Sequence, residues 1–244
     1  MGIMPVIWQE WILFKRKFKT ISAGALVSPL LYMLAFGLGL GKDLEVNGQP
    51  YLVFVIPGII ALTTMNTSYS SIAVLLNIHR IYDKTFEEFI ISPLSMFNFT
   101  LGKVIAGALR GMYAGAIIII LSFLFGVNLN INIWFIILMF LNALIFAGVG
   151  FYAALIIDSH ANMSRFSTFV ITPMIFLCGT FFPVDNMPLI LKKFIYVLPL
   201  THASQGLRSL ARGDGFHWMN IFVLLIYLII VFILGLHEAH RVES

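Results

Sequence analysis

Charge is scarce in this sequence. Asp, Glu, Lys and Arg make up 11% of its 244 residues, where a soluble domain carries about 25%. That scarcity excludes an ordinary water-soluble domain. Cysteine is scarcer still. Cys178 stands alone, cannot close an internal disulfide and leaves the redox compartment open; inside an apolar run it is expected to pack as a small hydrophobe. Catalytic groupings are missing as well. No paired acids or Ser-His-Asp set stand at catalytic spacing within an apolar run, and His237 and His240 alone make no metal site. An intramembrane enzyme is therefore disfavoured and no metal is expected. A phosphate loop is also missing. Gly37, Gly39, Gly41 and Lys42 imitate one, but Phe36 stands where its first glycine belongs and Asp43 where Ser or Thr must follow. No cofactor is expected on this chain itself. No leader peptide is expected either, because Glu10 interrupts the first apolar stretch and Lys15, Arg16, Lys17 and Lys19 follow it.

What is abundant is apolar length: 60% of the residues are hydrophobic. A membrane span takes roughly 20 apolar residues, and the runs at 21–40, 51–76, 99–125, 133–157, 163–182 and 218–236 meet that need. The expected fold is an all-α integral membrane protein of six transmembrane helices, forming one domain over residues 1–244. Residues 1–19 read as an interfacial helix: Ile3, Ile7, Trp11, Phe14 and Phe18 make one apolar stripe, with Gln9, Glu10, Arg16 and Lys17 elsewhere on its surface. Residues 183–217 read as two half-helices dipping into the outer leaflet. The run from Leu189 to Leu198 is too short to span and is bracketed by Pro188 and Pro199. In the second run Ala203, Leu207, Leu210 and Ala211 lie on one side, and Arg208, Ser209 and Arg212 nearer the other.

The formal charge of +4 belongs to orientation rather than to nucleic acid. Lys15, Arg16, Lys17, Lys19, Arg80, Lys84, Lys103, Arg110, Arg165 and Arg241 flank one side, against Lys42, Lys192, Lys193, Arg208 and Arg212 on the other. The richer side is the cytoplasm, so both termini are expected there, in a multi-pass protein of the inner (cytoplasmic) membrane.

Several residues suggest roles. Thr85 and Glu88 form a capping box, with Glu87 inside it, and Phe86, Phe89 and Ile90 share a face before Ser92-Pro93 stops the helix. A short cytoplasmic helix with exposed aromatic side chains suits a groove on a partner, or folds back on the membrane. Arg110, about two turns inside its span, needs a counter-charge, and Asp158 at the end of the fourth span is the expected partner. Thr64, Asn66 and Thr67 in span two and Asn142 in span four either line a pathway or hold helices together. Gly107, Gly111 and Gly115 in span three read as a packing stripe.

The order of three stretches resembles a family. They are Lys84-Thr85-Phe86-Glu87-Glu88-Phe89-Ile90-Ile91-Ser92-Pro93 with Gly102-Lys103 downstream, Pro173 through Cys178-Gly179-Thr180-Phe181-Phe182-Pro183, and Leu198-Pro199-Leu200-Thr201-His202-Ala203 through Leu207-Arg208. With the basic amphipathic start, nearly the whole chain resembles the ABC type-2 permeases, membrane subunits of exporters for polysaccharides, lipid-linked sugars and drugs. The resemblance implies a dimer of permeases with a separate ATP-binding subunit that carries ATP and Mg. It implies that Thr85, Phe86, Glu87, Glu88, Phe89 and Ile90 form a coupling helix docked in the ATPase. It also implies an outer gate around Gly179, Phe182, Pro183 and Pro199, set in membrane lipid. Many relatives carry an Arg-Gly or similar pair before the coupling helix, where this chain has Asp83-Lys84. A stand-alone channel or secondary carrier is the alternative; such carriers often show internal repeats, and none is clear between residues 1–125 and 126–244.

Overall fold

The computed structural model describes residues 2–39, 44–46, 48–81, 94–184, 187–215 and 218–243. Helix α1 covers Met4–Arg16. Helix α2, Phe18–Tyr32, runs on into a π-helical stretch, Met33–Gly39. Strands β1 (Glu45–Val46) and β2 (Gln49–Pro50) pair antiparallel and turn the chain into α3, Tyr51–Ile81. Then follow α4 (Met96–Leu124), α5 (Ile133–Ile156), α6 (His160–Phe166), a π-helical stretch (Ser167–Ile171) and α7 (Thr172–Leu177). Helices α8 (Leu189–Val197), α9 (Pro199–Arg212) and α10 (Trp218–Glu243) complete the chain.

The helices begin and end where side chains meet unpaired backbone groups. Ser95, Asn132 and Ser159 each accept a hydrogen bond from the amide three residues on, and so start α4, α5 and α6. Pro199 opens α9 at a position whose amide would have no partner, and Gly213 closes it with φ +79°.

Among the described residues, five helices are long and apolar enough to cross a membrane: Phe18–Phe36, Tyr51–Ile81, Met96–Leu124, Ile133–Ile156 and Trp218–Val242. They coincide with the first, second, third, fourth and sixth expected runs. The expected fifth, 163–182, is helical without a break over 160–177, shorter than expected and with a π-helical stretch inside it. Its helical part is α6, the π stretch and α7, and it ends at Leu177. The cause is local. Ser167 and Thr168 hydroxyls donate to the Met163 and Ser164 carbonyls, Thr172 reaches back to Ser167, and Pro173 has no amide to give. Gly179, with φ +72°, then turns the chain.

Helix α3 is the hub. Most of it is buried, packed by α4, α5 and α9, while α10 lies on α5 and turns most of its surface outward. The glycine stripe of α4 explains how closely α3 approaches. A Cβ on Gly111 would stand 1.9 Å from Ser68 Oγ and 2.7 Å from the Thr64 carbonyl, so the two backbones meet along this seam.

Candidate functional site

One end of the bundle is organised around α1, which turns Val6, Glu10 and Phe14 onto α4 and leaves Met4, Trp8 and Trp11 exposed. Two adjacent residues of α4 make the seat. At Gly102 a Cβ would stand 2.8 Å from Val6, so only glycine lets α1 settle this low. Lys103, next along, donates through Nζ to Glu10 Oε1. Seven residues further on, Arg110 Nη2 reaches the other carboxylate oxygen at 2.7 Å and the Glu10 carbonyl at 3.0 Å. Its Nη1 points to the Ser71 carbonyl at 3.4 Å, and its guanidinium lies 6.0 Å from the Phe14 ring. Glu10, Lys103 and Arg110 are 4%, 2% and 5% exposed. Buried charges persist only when paired and hydrogen-bonded. Here one carboxylate is shared by two cations, and α1 is bound to α4 through it.

Two expectations are corrected by this cluster. Glu10 does not lie on a solvated face of α1; it is the buried centre of the contact. Arg110 does not pair with Asp158. Asp158 instead accepts from Arg80 at 2.8 Å, and its side chain is largely exposed. Arg80 also reaches the Ala154 and Leu155 carbonyls, and Asn77 the Ile157 carbonyl. These are the unpaired carbonyls at the C-terminal end of α5, where a cation is favoured. The partner of Arg110 was missed because it lies 100 residues away. The signal available was Lys103 and Arg110 themselves. At i and i+7 they share one face of α4, and two cations there require an acid.

The polar residues expected along a pathway divide. Thr64 is fully buried, with its hydroxyl given back to the Ile60 carbonyl, and it faces the α4 glycine seam. Asn142 is fully buried and donates to the Ala61 carbonyl at 2.9 Å, joining α5 to α3. Both make helix-to-helix contacts, the second of the two roles the sequence leaves open. Thr67 is nearly buried, whereas Asn66 is exposed midway along α3. The segment Thr85, Phe86, Glu87, Glu88, Phe89 and Ile90, expected as the coupling helix, lies outside the described residues.

At the opposite end, the turn that holds Gly179 meets a residue the sequence placed on the polar side of its helix; Phe182 and Pro183 follow Gly179 in the chain, and Pro199 opens the helix that carries that residue. Arg208 of α9 is 6% exposed. Its Nε donates to the Phe54 carbonyl at 2.9 Å, and its Nη2 to the Gly179 carbonyl at 2.9 Å and the Thr180 carbonyl at 3.4 Å. The guanidinium stacks 3.7 Å from the Phe54 ring centroid. The fork thus ties the turn after α7 to α3 and α9. Tyr51 adds a second tie by donating to the Phe181 carbonyl at 2.5 Å. Ser204 donates to the Cys178 carbonyl, and the cysteine packs fully buried as expected. Ser209, like Arg208, is buried rather than solvated. His202 Nε2 lies 2.9 Å from the Tyr196 carbonyl and fixes the corner between α8 and α9. Among the described residues no cluster of three or more His, Cys, Asp or Glu could hold a metal. What this arrangement can do is mechanical: it clamps an amphipathic helix at one end of the bundle and a turn at the other.

Comparison with known proteins accords with this design. A family model described as ABC-2 type transporter matches residues 2–211. The chain is 26% identical over 239 residues to Nodulation protein J of Rhizobium leguminosarum bv. trifolii, covering 94% of this chain and 89% of that protein. It is 26% identical over 235 residues to Nodulation protein J of Bradyrhizobium diazoefficiens, covering 93% and 88%. It is 25% identical over 209 residues to the inner membrane transport permease YadH of Escherichia coli K12, covering 83% and 80%.

Proposed function

Because the chain belongs to the family of ABC-2 type transporters, we propose that it is the membrane permease of an ATP-driven exporter, working as a homodimer with a separate ATP-binding subunit. The observation that carries this reading is similarity over 83–94% of the chain to relatives covered to 80–89% of their own length, one of them named an inner membrane transport permease. Permeases of this family normally work with an ATP-binding subunit. ATP and Mg are then bound by that partner. The cargo is a lipid-linked glycan, polysaccharide, lipid or hydrophobic drug leaving the cytoplasm. The chain sits in the inner membrane with both termini in the cytoplasm.

The run His160–Leu177 is taken as the fifth crossing, which brings the total to six. At about 1.5 Å per residue it reaches roughly 27 Å, close to the ~30 Å hydrocarbon core. Helices α8 and α9 are the outer re-entrant pair. The segment Thr85–Ile90 joins α3 to α4, so a push on it from a docked ATPase reaches the glycine seam between those helices directly. Helix α4 also carries the Lys103 and Arg110 ends of the clamp on α1, so the same motion displaces α1. At the outer end, Gly179, Phe182, Pro183 and Pro199 form the gate, with Arg208 as its latch. Asn66 supports a path between two permeases, because an exposed amide in hydrocarbon needs a partner, which a hydrated path or a facing copy supplies.

The test is co-purification. Phe86→Asp with Phe89→Asp should leave insertion intact and remove the ATP-binding subunit from the purified complex. Undiminished co-purification would defeat the docking claim.

A further inference from the structure

We propose that a groove between α1 and α4 binds one anionic phospholipid of the inner leaflet, with an acyl chain in the groove and the headgroup on the basic run that ends α1. The groove holds about 360 Å³, within the roughly 300–1,000 Å³ of small-molecule sites. Its walls are Ile7, Trp11, Phe14 and Phe18 on one side and Ala106 and Leu109 on the other, with the Glu10–Arg110 pair at its base. The walls are almost wholly apolar. The groove opens away from the bundle: Trp11, Leu109 and Phe18 are 55%, 51% and 44% exposed. Its wall residue Trp11 and neighbouring Trp8 are both exposed, as tryptophans at the membrane–water interface are. An apolar slot at that depth selects a hydrocarbon chain.

The charge around the groove selects the headgroup. Lys15, Arg16, Lys17 and Lys19 are all exposed. Lys15 follows Trp11 by four residues, so it stands on the same edge of α1 as that wall residue. No acid occurs between Glu10 and Asp43, and Glu10 is already shared between Lys103 and Arg110. Among the described residues none of these four cations is in an ion pair, and cationic juxtamembrane runs are drawn to anionic lipid. The inference rests on the cytoplasmic placement of α1 and not on what the chain exports.

The test uses brominated lipids, whose acyl chains quench nearby tryptophan. The full chain, with Trp11 as sole tryptophan (Trp8, Trp134 and Trp218 changed to Phe), is placed in phosphatidylcholine vesicles. A minority of the lipid is either brominated phosphatidylglycerol or the same fraction of brominated phosphatidylcholine. Quenching by the anionic lipid should be about threefold the stronger, of the order expected for local enrichment at a basic segment. Ala106→Phe, which fills the groove and keeps every cation, should remove that excess. Replacing Lys15, Arg16, Lys17 and Lys19 with Gln should also bring the two lipids level. On the unaltered chain, native mass spectrometry after detergent washing should retain one phosphatidylglycerol and no phosphatidylcholine. Equal quenching by both lipids overturns the proposal. So does a preference that survives Ala106→Phe, which means surface attraction alone, or a Trp11 that neither lipid quenches, which means a second copy fills the groove.

Discussion

Replacing Glu10 with alanine removes the carboxylate that Lys103 and Arg110 share. The two cations are 2% and 5% exposed, so both lose a buried counter-charge while α1 stays docked. Removing one member of a buried ion cluster costs about 3–5 kcal/mol. Here that cost falls on one equilibrium, α1 docked against α1 released, because release lets the cations reach water. The docked fraction should therefore fall by roughly a hundred- to several-thousand-fold. Val6→Cys reports it. Val6 is 1% exposed against Gly102, and Cys178, the sole native cysteine, is fully buried. A maleimide should label the cysteine introduced at position 6 slowly in the otherwise native protein and rapidly once Glu10 is alanine. A Glu10→Met, Lys103→Met, Arg110→Met triple substitution should stay slow, because an apolar replacement of a whole buried cluster is close to neutral. Unchanged labelling in Glu10→Ala, or rapid labelling in the triple variant, would refute the idea that the shared charge holds α1.

Three further outcomes follow from the same geometry. Gly111→Ala should destabilise the purified chain by about 1–3 kcal/mol through overpacking, whereas Gly24→Ala, whose added Cβ meets nothing within 4 Å, should not; thermal unfolding in detergent compares them. Arg208→Met should loosen the turn at 178–184, because the Phe54 and Gly179 carbonyls lose their donor at about 1–3 kcal/mol, read as faster hydrogen exchange there. Arg208→Lys should not restore protection, since an ammonium cannot span both carbonyls as the planar fork does. Asp158→Asn should change stability by less than about 1 kcal/mol, because its pair with Arg80 is exposed on the acid side.

How far the sequence was legible depended on distance along the chain. Long apolar runs announce their helices because a bilayer leaves the backbone no partner but itself, and five runs form as read. The fifth ends early and carries a π-helical stretch, where Ser167, Thr168 and Thr172 feed hydroxyls into the carbonyl ladder around Pro173. Hydropathy averages hide that competition. The glycine stripe of α4 was readable as packing, since its four-residue spacing needs no partner's identity. Glu10 and Arg208 were misplaced for one reason. On a helix drawn alone, a charged residue belongs to the wet face, and only the fold brings up the Lys103 amine or the Gly179 carbonyl that lets it be buried. Pairing Arg110 with Asp158 followed charge correctly but not position, since Asp158 lies beside Arg80 at the end of α5. The Gly102-Lys103 pair, noticed as part of a family pattern, has a physical meaning only in three dimensions: it is the place where α1 sits.

Sidedness of the segment that joins α3 to α4 tests the central claim most directly. Phe89→Cys in a Cys178→Ser background is exposed to a membrane-impermeant maleimide, in intact cells and in inside-out vesicles. An ATP-driven permease coupled through this segment requires labelling in the inverted vesicles and none in the intact cells. Labelling at position 89 in intact cells would put the segment outside, beyond reach of any ATPase, and contradict the account.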